Sequence, residues 1–104
     1  MIKEEKVMVK QDMFRTRANQ VARLVAQKNR AYGNSFAKTS AFLKLCYPNG
    51  IETKQYDDML TIVRIFDKIM RIATAKEALG ENPWQDINGY SLLALVQDKL
   101  RKEG

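Results

Sequence analysis

Residues 28–36 combine, within nine positions, the kinds of side chain that nucleotide sites use. The stretch groups two cations, two aromatic rings, two amides and a hydroxyl around Gly33, and its candidate ligand-binding residues are Lys28, Asn29, Tyr32, Asn34, Ser35 and Phe36. Aromatic faces stack on bases, cations meet phosphate, and amides hydrogen-bond to polar edges. Because glycine accepts a positive φ, the chain can turn sharply at Gly33 and let a ligand approach the backbone. A second interpretation is a helix C-cap followed by two aromatic residues that anchor a loop in the core.

A charged strip follows at helical spacing and consists of Arg64, Asp67, Lys68 and Arg71. Asp67 can pair with either arginine, and each exposed pair of this kind contributes about 0.2–0.5 kcal/mol. Three cations around one carboxylate leave an excess of positive charge that a bound anion would neutralise. If the strip faces residues 28–36, the two surfaces form one phosphate-accepting pocket. The alternative is a solvated helix face.

The net charge of +6 is unevenly distributed along the 104 residues. Residues 1–45 hold ten Lys and Arg against three acids, whereas residues 46–104 hold eight against nine. The basic half is therefore the half that contains residues 28–36. A polyanionic partner, including nucleic acid, is one explanation, and a basic helix without a partner is the other.

Several classes of protein are disfavoured by composition. Histidine is absent and Cys46 is the single cysteine, which excludes an intrachain disulfide, histidine general-base chemistry and Cys or His metal clusters. No apolar run approaches the ~20 residues that span a bilayer, so no membrane association is predicted. The first residues lack the apolar segment of a secretory signal, and a cytoplasmic location is expected.

The spacing of apolar residues predicts an all-α fold: one domain over residues 1–104, a compact bundle of about four helices that is oligomeric. The first helix is predicted from Asp12 to Arg30 and ends at Gly33, and the second runs from about Ser35 to Cys46. Pro48-Asn49-Gly50 is a strong turn signal. Residues 1–10 are compatible with a flexible or extended arm, a short strand or a helix extension.

The third and fourth helices carry clear end signals. Thr53 is expected to cap the third helix, and Gly80 is expected to end it. Apolar residues cover about half of the circumference of that helix, which predicts a central position and several packing partners. Asn82 and Pro83 start the fourth helix as N-cap and first helical residue, and its predicted apolar stripe is Ile87, Tyr90, Leu93, Val96 and Leu100.

Three ordered motifs carry a resemblance to a known family: Lys28-Asn29-x-x-Tyr32-Gly33-x-Ser35-Phe36, Arg64-x-x-Asp67-Lys68-x-x-Arg71-Ile72 and Pro83-Trp84-x-Asp86-Ile87-x-Gly89-Tyr90. Over about residues 20–96 the chain resembles small phage and prophage proteins that are similar to the nucleotide-modification-associated domain. More distantly, it is similar to the MazG-like all-α nucleoside triphosphate pyrophosphatases. The resemblance implies an all-helical fold, a phage origin and a nucleotide ligand, and it adds Trp84 to the candidate ligand-binding residues.

The chain departs from this resemblance at the metal site. MazG-like enzymes hold magnesium with paired carboxylates one helical turn apart, a spacing that points both groups at one ion. Here only Asp67 and Asp86 are plausible ligands, and they would hold Mg²⁺ weakly. No catalytic residue is assigned.

Three functions are compatible with these residues. The first is a non-catalytic protein that binds or sequesters a phosphorylated nucleotide, for example a defence signal. The second is a MazG-like pyrophosphohydrolase that uses Mg²⁺. The third is a nucleic-acid binder that uses the basic first helix, with an affinity that falls steeply with salt.

Overall fold

In residues 2–104, whose backbone a computed structural model describes together with the side chains of residues 9–104, the chain forms four α-helices and no β-strand. The prediction of an all-α fold is therefore confirmed. The helices are α1 (Ile2–Ala31), α2 (Ser35–Cys46), α3 (Tyr56–Ala75) and α4 (Pro83–Glu103). Two short 3₁₀ turns, Thr53–Gln55 and Ala78–Gly80, precede and follow α3.

Helix α1 begins at Ile2, so residues 2–10 continue the helix, and Met1 lies outside the described residues. The chain leaves α1 through a turn in which Gly33 and Asn34 both have a positive φ, of 60° and 59°. Helix α2 then occupies the predicted range of residues 35–46. Glycine at the first of these two positions relieves the steric cost of the left-handed conformation, and asparagine tolerates it better than most residues.

Helix α3 lies at the centre, as its wide apolar face predicts, and the other three helices all contact it. Phe66 of α3 is buried and stacks on Phe42 of α2, with 4.3 Å between ring centroids and 15° between ring planes. Such an aromatic pair contributes about 0.5–1.5 kcal/mol beyond the area that it buries. The stack fixes α2 against the middle of α3.

The predicted ends of the third helix are wrong. Its first residue is Tyr56, because residues 53–55 form a separate 3₁₀ turn, and the backbone N–H of Glu52 donates to Gln55 Oε1 at 2.9 Å. Its last residue is Ala75, five positions before Gly80. The chain then turns through Leu79 and Gly80, both with positive φ, and side-chain contacts from α3 hold this turn.

Helix α4 starts as predicted. The side chain of Asn82 accepts hydrogen bonds from the backbone N–H groups of Trp84 and Gln85 at 3.1 and 3.3 Å, and Pro83 occupies the first helical position. The predicted apolar stripe is only partly covered, however. Ile87 and Tyr90 are half-buried, whereas the remaining members of the stripe, Leu93, Val96 and Leu100, are more than half exposed.

The structure buries few side chains. Residues 9–30 are all exposed, so only the C-terminal end of α1 joins the bundle. The radius of gyration is 19.8 Å, against about 13 Å for a domain of this length. Within residues 9–104, the buried residues are Ala31, Ser35, Phe66, Arg71 and Pro83. Among the helices described, none has the length and apolar character that crossing a bilayer requires.

Candidate functional site

A groove of about 510 Å³ lies where the end of α1, the start of α2 and the middle of α3 meet. Residues 28–36 supply most of its wall, and α3 supplies the opposite side through Asp67. We call this cavity the Tyr32 groove, and its lining residues are Val25, Lys28, Asn29, Tyr32, Ser35, Phe36 and Asp67. The polar stretch between α1 and α2 and one member of the charged strip thus share a single hollow.

The turn that shapes the Tyr32 groove is packed tightly against α3. Gly33 approaches α3 so closely that a Cβ at this position would overlap the hydroxyl of Thr74 and press on the methyl group of Met70. Ser35 is buried, and its carbonyl accepts a hydrogen bond from the Thr39 hydroxyl at 2.6 Å. The groove wall is therefore anchored by backbone packing on one side and by the first turn of α2 on the other.

The two aromatic residues of this segment have different environments. Phe36 is 90% exposed and lines the groove, so it does not anchor a loop in the core. Tyr32 is half-buried, and its hydroxyl accepts a hydrogen bond from Lys68 Nζ at 3.0 Å. Phe36 consequently offers an uncovered ring for stacking, whereas Tyr32 fixes the groove to α3.

Lys68 lies at the centre of a polar cluster that joins three parts of the fold. Besides Tyr32, its ammonium pairs with Asp86 at 3.2 Å and with Glu81 at 3.6 Å. Only 12% of its side chain is exposed. Burial by itself would lower the pKa of Lys68, but the hydrogen bonds and charges of Tyr32 and Asp86 outweigh burial and raise this pKa above its ordinary value. Lys68 therefore remains a cation that is neutralised within the protein.

We expect Lys68→Met to lower the free energy of unfolding at pH 7 by about 2 kcal/mol, because hydrogen bonds to charged groups contribute about 1.5–3 kcal/mol each. A pKa that is raised by folding stabilises the folded state fully below the unfolded pKa and loses that contribution as the pH rises through the folded value. The difference between wild type and variant should thus be constant near neutral pH and shrink above about pH 10.5. Urea unfolding followed by circular dichroism measures it.

Lys54→Met is the matched control for this measurement. Lys54 pairs with Glu52 at 3.3 Å on an exposed surface, where ion pairs contribute about 0–1 kcal/mol. Equal losses for the two variants, or a Lys68 effect that grows in alkali, would contradict the assigned role of the cluster.

Arg71 is fully buried and lies away from the Tyr32 groove. Its Nη1 donates to Glu81 Oε2 at 2.9 Å, and its Nη2 donates to three backbone carbonyls in the turn that follows α3. These carbonyls belong to Lys76, Ala78 and Glu81. A solvated helix face is therefore the wrong interpretation for this part of the strip: Arg71 holds the connection between α3 and α4.

The remaining candidates for ligand binding lie elsewhere. The guanidinium of Arg64 lies 5.9 Å from the ring centroid of Tyr90, in a second groove, between α3 and α4. Trp84 is more than half exposed beside the turn after α3 and does not line the Tyr32 groove. Asn34 is exposed within the turn between α1 and α2.

The two candidate metal ligands have separate environments. Asp67 lines the Tyr32 groove, whereas Asp86 pairs with Lys68. Within residues 9–104, no group of three or more His, Cys, Asp or Glu side chains is placed to hold a metal ion. Among the side chains of residues 9–104, Asp67 forms no ion pair with Arg64 or Arg71. Arg64 instead contacts Tyr90 of α4, and Arg71 pairs with Glu81 in the connection before α4.

Glu81 and Val25 are the site residues that the sequence did not indicate. Glu81 accepts a hydrogen bond from Arg71 and pairs with Lys68. It lies in the connection before α4 and not on α3, so helical spacing along α3 could not predict these contacts. One indication of such a partner was present in the sequence. The charged strip of α3 has three cations for one carboxylate, so acidic side chains from other segments could be expected to pair with it. Val25 lies one helical turn before Lys28 and extends the groove along α1.

No family model, curated protein or solved structure matches this chain. The functional conclusion therefore depends on the residues and the geometry described above.

Proposed function

We propose that this protein binds and sequesters a phosphorylated nucleotide, such as a defence signalling nucleotide, in the Tyr32 groove. The observation that carries the proposal is the shared location of an uncovered aromatic ring, Phe36, and a cation, Lys28, in one cavity with Asn29 and Ser35. The volume of about 510 Å³ lies within the roughly 300–1,000 Å³ typical of small-molecule sites.

The lining residues suggest how such a ligand would lie. A base would stack on Phe36, and the phosphate would meet the ammonium of Lys28. The side chains of Asn29 and Ser35 offer donors and acceptors for polar base edges. The carboxylate of Asp67, on the opposite wall, can accept hydrogen bonds from ribose hydroxyls.

Charge balance narrows the class of ligand. Lys68 and Arg71 are neutralised by Glu81 and Asp86, so Lys28 is the one cation among the described residues that line this groove, and Asp67 faces it. A monophosphate or a phosphodiester suits a single cation better than a triphosphate, which would bring several uncompensated charges near a carboxylate. We therefore propose a nucleoside monophosphate or a cyclic nucleotide as the preferred ligand.

Calorimetry against a panel of nucleoside mono-, di- and triphosphates, cyclic nucleotides and inorganic phosphate tests the proposal. We expect at least one nucleotide to bind more tightly than about 0.1 mM, equivalent to roughly −5.5 kcal/mol. Phe36→Ala should weaken it by about 1–3 kcal/mol through lost stacking, and Lys28→Ala by about 1.5–3 kcal/mol through a lost charge-assisted hydrogen bond.

Two exposed residues of α2 that lie outside the groove provide matched controls. Leu45→Ala removes an exposed apolar side chain, as Phe36→Ala does, and Lys44→Ala removes an exposed cation. Both controls should bind as the wild type does. Binding no tighter than 0.1 mM across the panel, or equal losses in the controls, would refute the proposal.

A MazG-like pyrophosphohydrolase is the second candidate, and the position of Asp67 in the groove is the observation that favours it. Incubation with deoxynucleoside triphosphates and Mg²⁺ or Mn²⁺ tests it. Pyrophosphate release that is lost in Asp67→Asn supports hydrolysis, and a complete lack of turnover removes this candidate.

The resemblance to phage and prophage proteins extends the proposal to location. We place the protein in the cytoplasm of a phage-infected or lysogenic bacterial host. Its single cysteine, Cys46, is free and exposed, which suits a reducing compartment.

A further inference from the structure

The isolated chain exposes more surface than a protein of its mass usually does. Its accessible surface is 8590 Å², about 2,600 Å² more than the roughly 6,000 Å² expected for a folded 12.0 kDa monomer. Obligate homodimers bury about 2,000–5,000 Å² in total, or more, at interfaces that resemble a divided core. The excess is of the size that a stable dimer would remove, and it is shared between α1, whose residues 9–30 are all exposed, and α4.

Part of this unpartnered apolar surface forms one face of α4. At 100° per residue, an apolar set recurs over about three turns along the side of α4 that borders its contact with α3, where Leu93 also lines the groove between the two helices. We call this surface the Gly89 face, and it consists of Gly89, Leu92, Leu93, Val96 and Leu100. The four large side chains of the face are all more than half exposed.

One end of this face is open at Gly89. A glycine in a helix interior costs about 1 kcal/mol relative to alanine, yet a Cβ at Gly89 would contact nothing within 4 Å in this chain. A cavity of about 420 Å³ opens beside it, between Asn88 and Leu93. The cavity is open to the surface, and no element of the described chain fills it.

We propose that the Gly89 face is the interface with a second copy of this chain, formed by antiparallel pairing of the two α4 helices. A two-fold axis between residues 94 and 95 would place Leu100 of each copy over Gly89 of the other. The same axis would bring Leu93 of each copy against Val96 of the other. The face is thus self-complementary, as a two-fold interface requires.

The macrodipole of α4 favours the same arrangement. The first turn of α4 contains Asp86, and the last turn contains Arg101 and Lys102. These charged groups pair within the chain, Asp86 with Lys68, Arg101 with Asp57 and Lys102 with Asp98. The contribution of antiparallel pairing is therefore that it opposes the two helix macrodipoles. The proposal does not depend on nucleotide binding, because the Gly89 face and the Tyr32 groove share no residue.

The mass of the full chain in solution tests the interface. Sedimentation equilibrium and light scattering should give twice 12.0 kDa for the wild type at micromolar concentration. Val96→Asp should raise the dissociation constant at least about a hundredfold, because the interface carries the substitution twice. Leu45→Asp, an equally radical change at an exposed leucine of α2, should leave the dimer intact.

Chemical crosslinking gives a second readout that does not require a disruptive variant. In a Cys46→Ser background, Val96→Cys should form a crosslinked dimer with a short bis-maleimide, whereas Leu45→Cys should not. A monomeric wild type overturns the proposal. A folded Val96→Asp variant that still dimerises, or equal crosslinking at both positions, overturns the assignment to α4.

Discussion

Replacing Arg71 with methionine should lower the free energy of unfolding by about 3–5 kcal/mol, the cost of removing one partner from a buried charged network. Methionine has a similar length but no donors. The substitution would leave the carboxylate of Glu81 without its 2.9 Å partner and remove the donor from three backbone carbonyls. The turn between α3 and α4 would then lose its buried arginine contacts and keep the 3.6 Å ion pair of Lys68 with Glu81.

Urea unfolding at fixed protein concentration measures this loss, and Arg64→Met is the matched control. Arg64 lies two helical turns before Arg71 on the same helix, but it is exposed, and its guanidinium lies over the ring of Tyr90. An exposed cation–π contact contributes about 0.5–1 kcal/mol. Arg71→Lys should be intermediate, because an ammonium cannot reproduce the planar fork of donors. Similar losses for the two methionine variants would show that the buried network does not hold the turn.

Gly33→Ala should destabilise the protein by about 2–5 kcal/mol. The left-handed backbone, with φ of 60°, costs an L-residue about 1–2 kcal/mol. The new methyl group would also overlap Thr74 and Met70, and overpacking of this kind costs about 1–3 kcal/mol. The turn would have to move away from α3, and the Tyr32 groove would change shape with it.

Gly80→Ala separates the cost of the left-handed backbone from the cost of the steric overlap. Gly80 has a nearly identical φ of 65°, but a Cβ there would meet nothing within 4 Å. We therefore expect it to show the conformational cost alone, about 1–2 kcal/mol, in the same unfolding experiment. Equal losses at the two glycines would mean that the approach of Gly33 to α3 contributes nothing.

The ion pairs of Lys68 and Arg71 help to explain why a strongly basic chain has a groove with little net charge. Lys68 and Arg71 are held by Glu81 and Asp86, so they stabilise the junction of α1, α3 and α4. Tyr32 connects that junction to the groove wall through its hydrogen bond with Lys68. The proposed ligand site and the stability of the fold therefore depend on adjacent side chains, so each variant needs a control on the same helix or of the same residue type.

Local signals were sufficient for much of the helical framework. Residues 35–46 form a helix, the Asn82 and Pro83 start signal is correct, and Phe66 of the central helix is buried as its apolar periodicity predicts. Local signals failed at the end of α3. Gly80 can end a helix, but α3 ends at Ala75, five positions earlier, where Arg71 donates to the carbonyls of Lys76 and Ala78 in the turn that follows.

The sequence by itself determined the all-α class, the turn at residues 32–34 and most of the polar and aromatic residues that line the Tyr32 groove, because these depend on neighbours within a few positions. Only the tertiary structure decided which cations remain available to a ligand. Helical periodicity places Arg64, Lys68 and Arg71 on related faces, but it cannot show that Glu81 and Asp86 approach two of them from the following segment. A charge can be buried only where such partners neutralise it, and tertiary packing determines which residues from other helices and turns come close enough to do so.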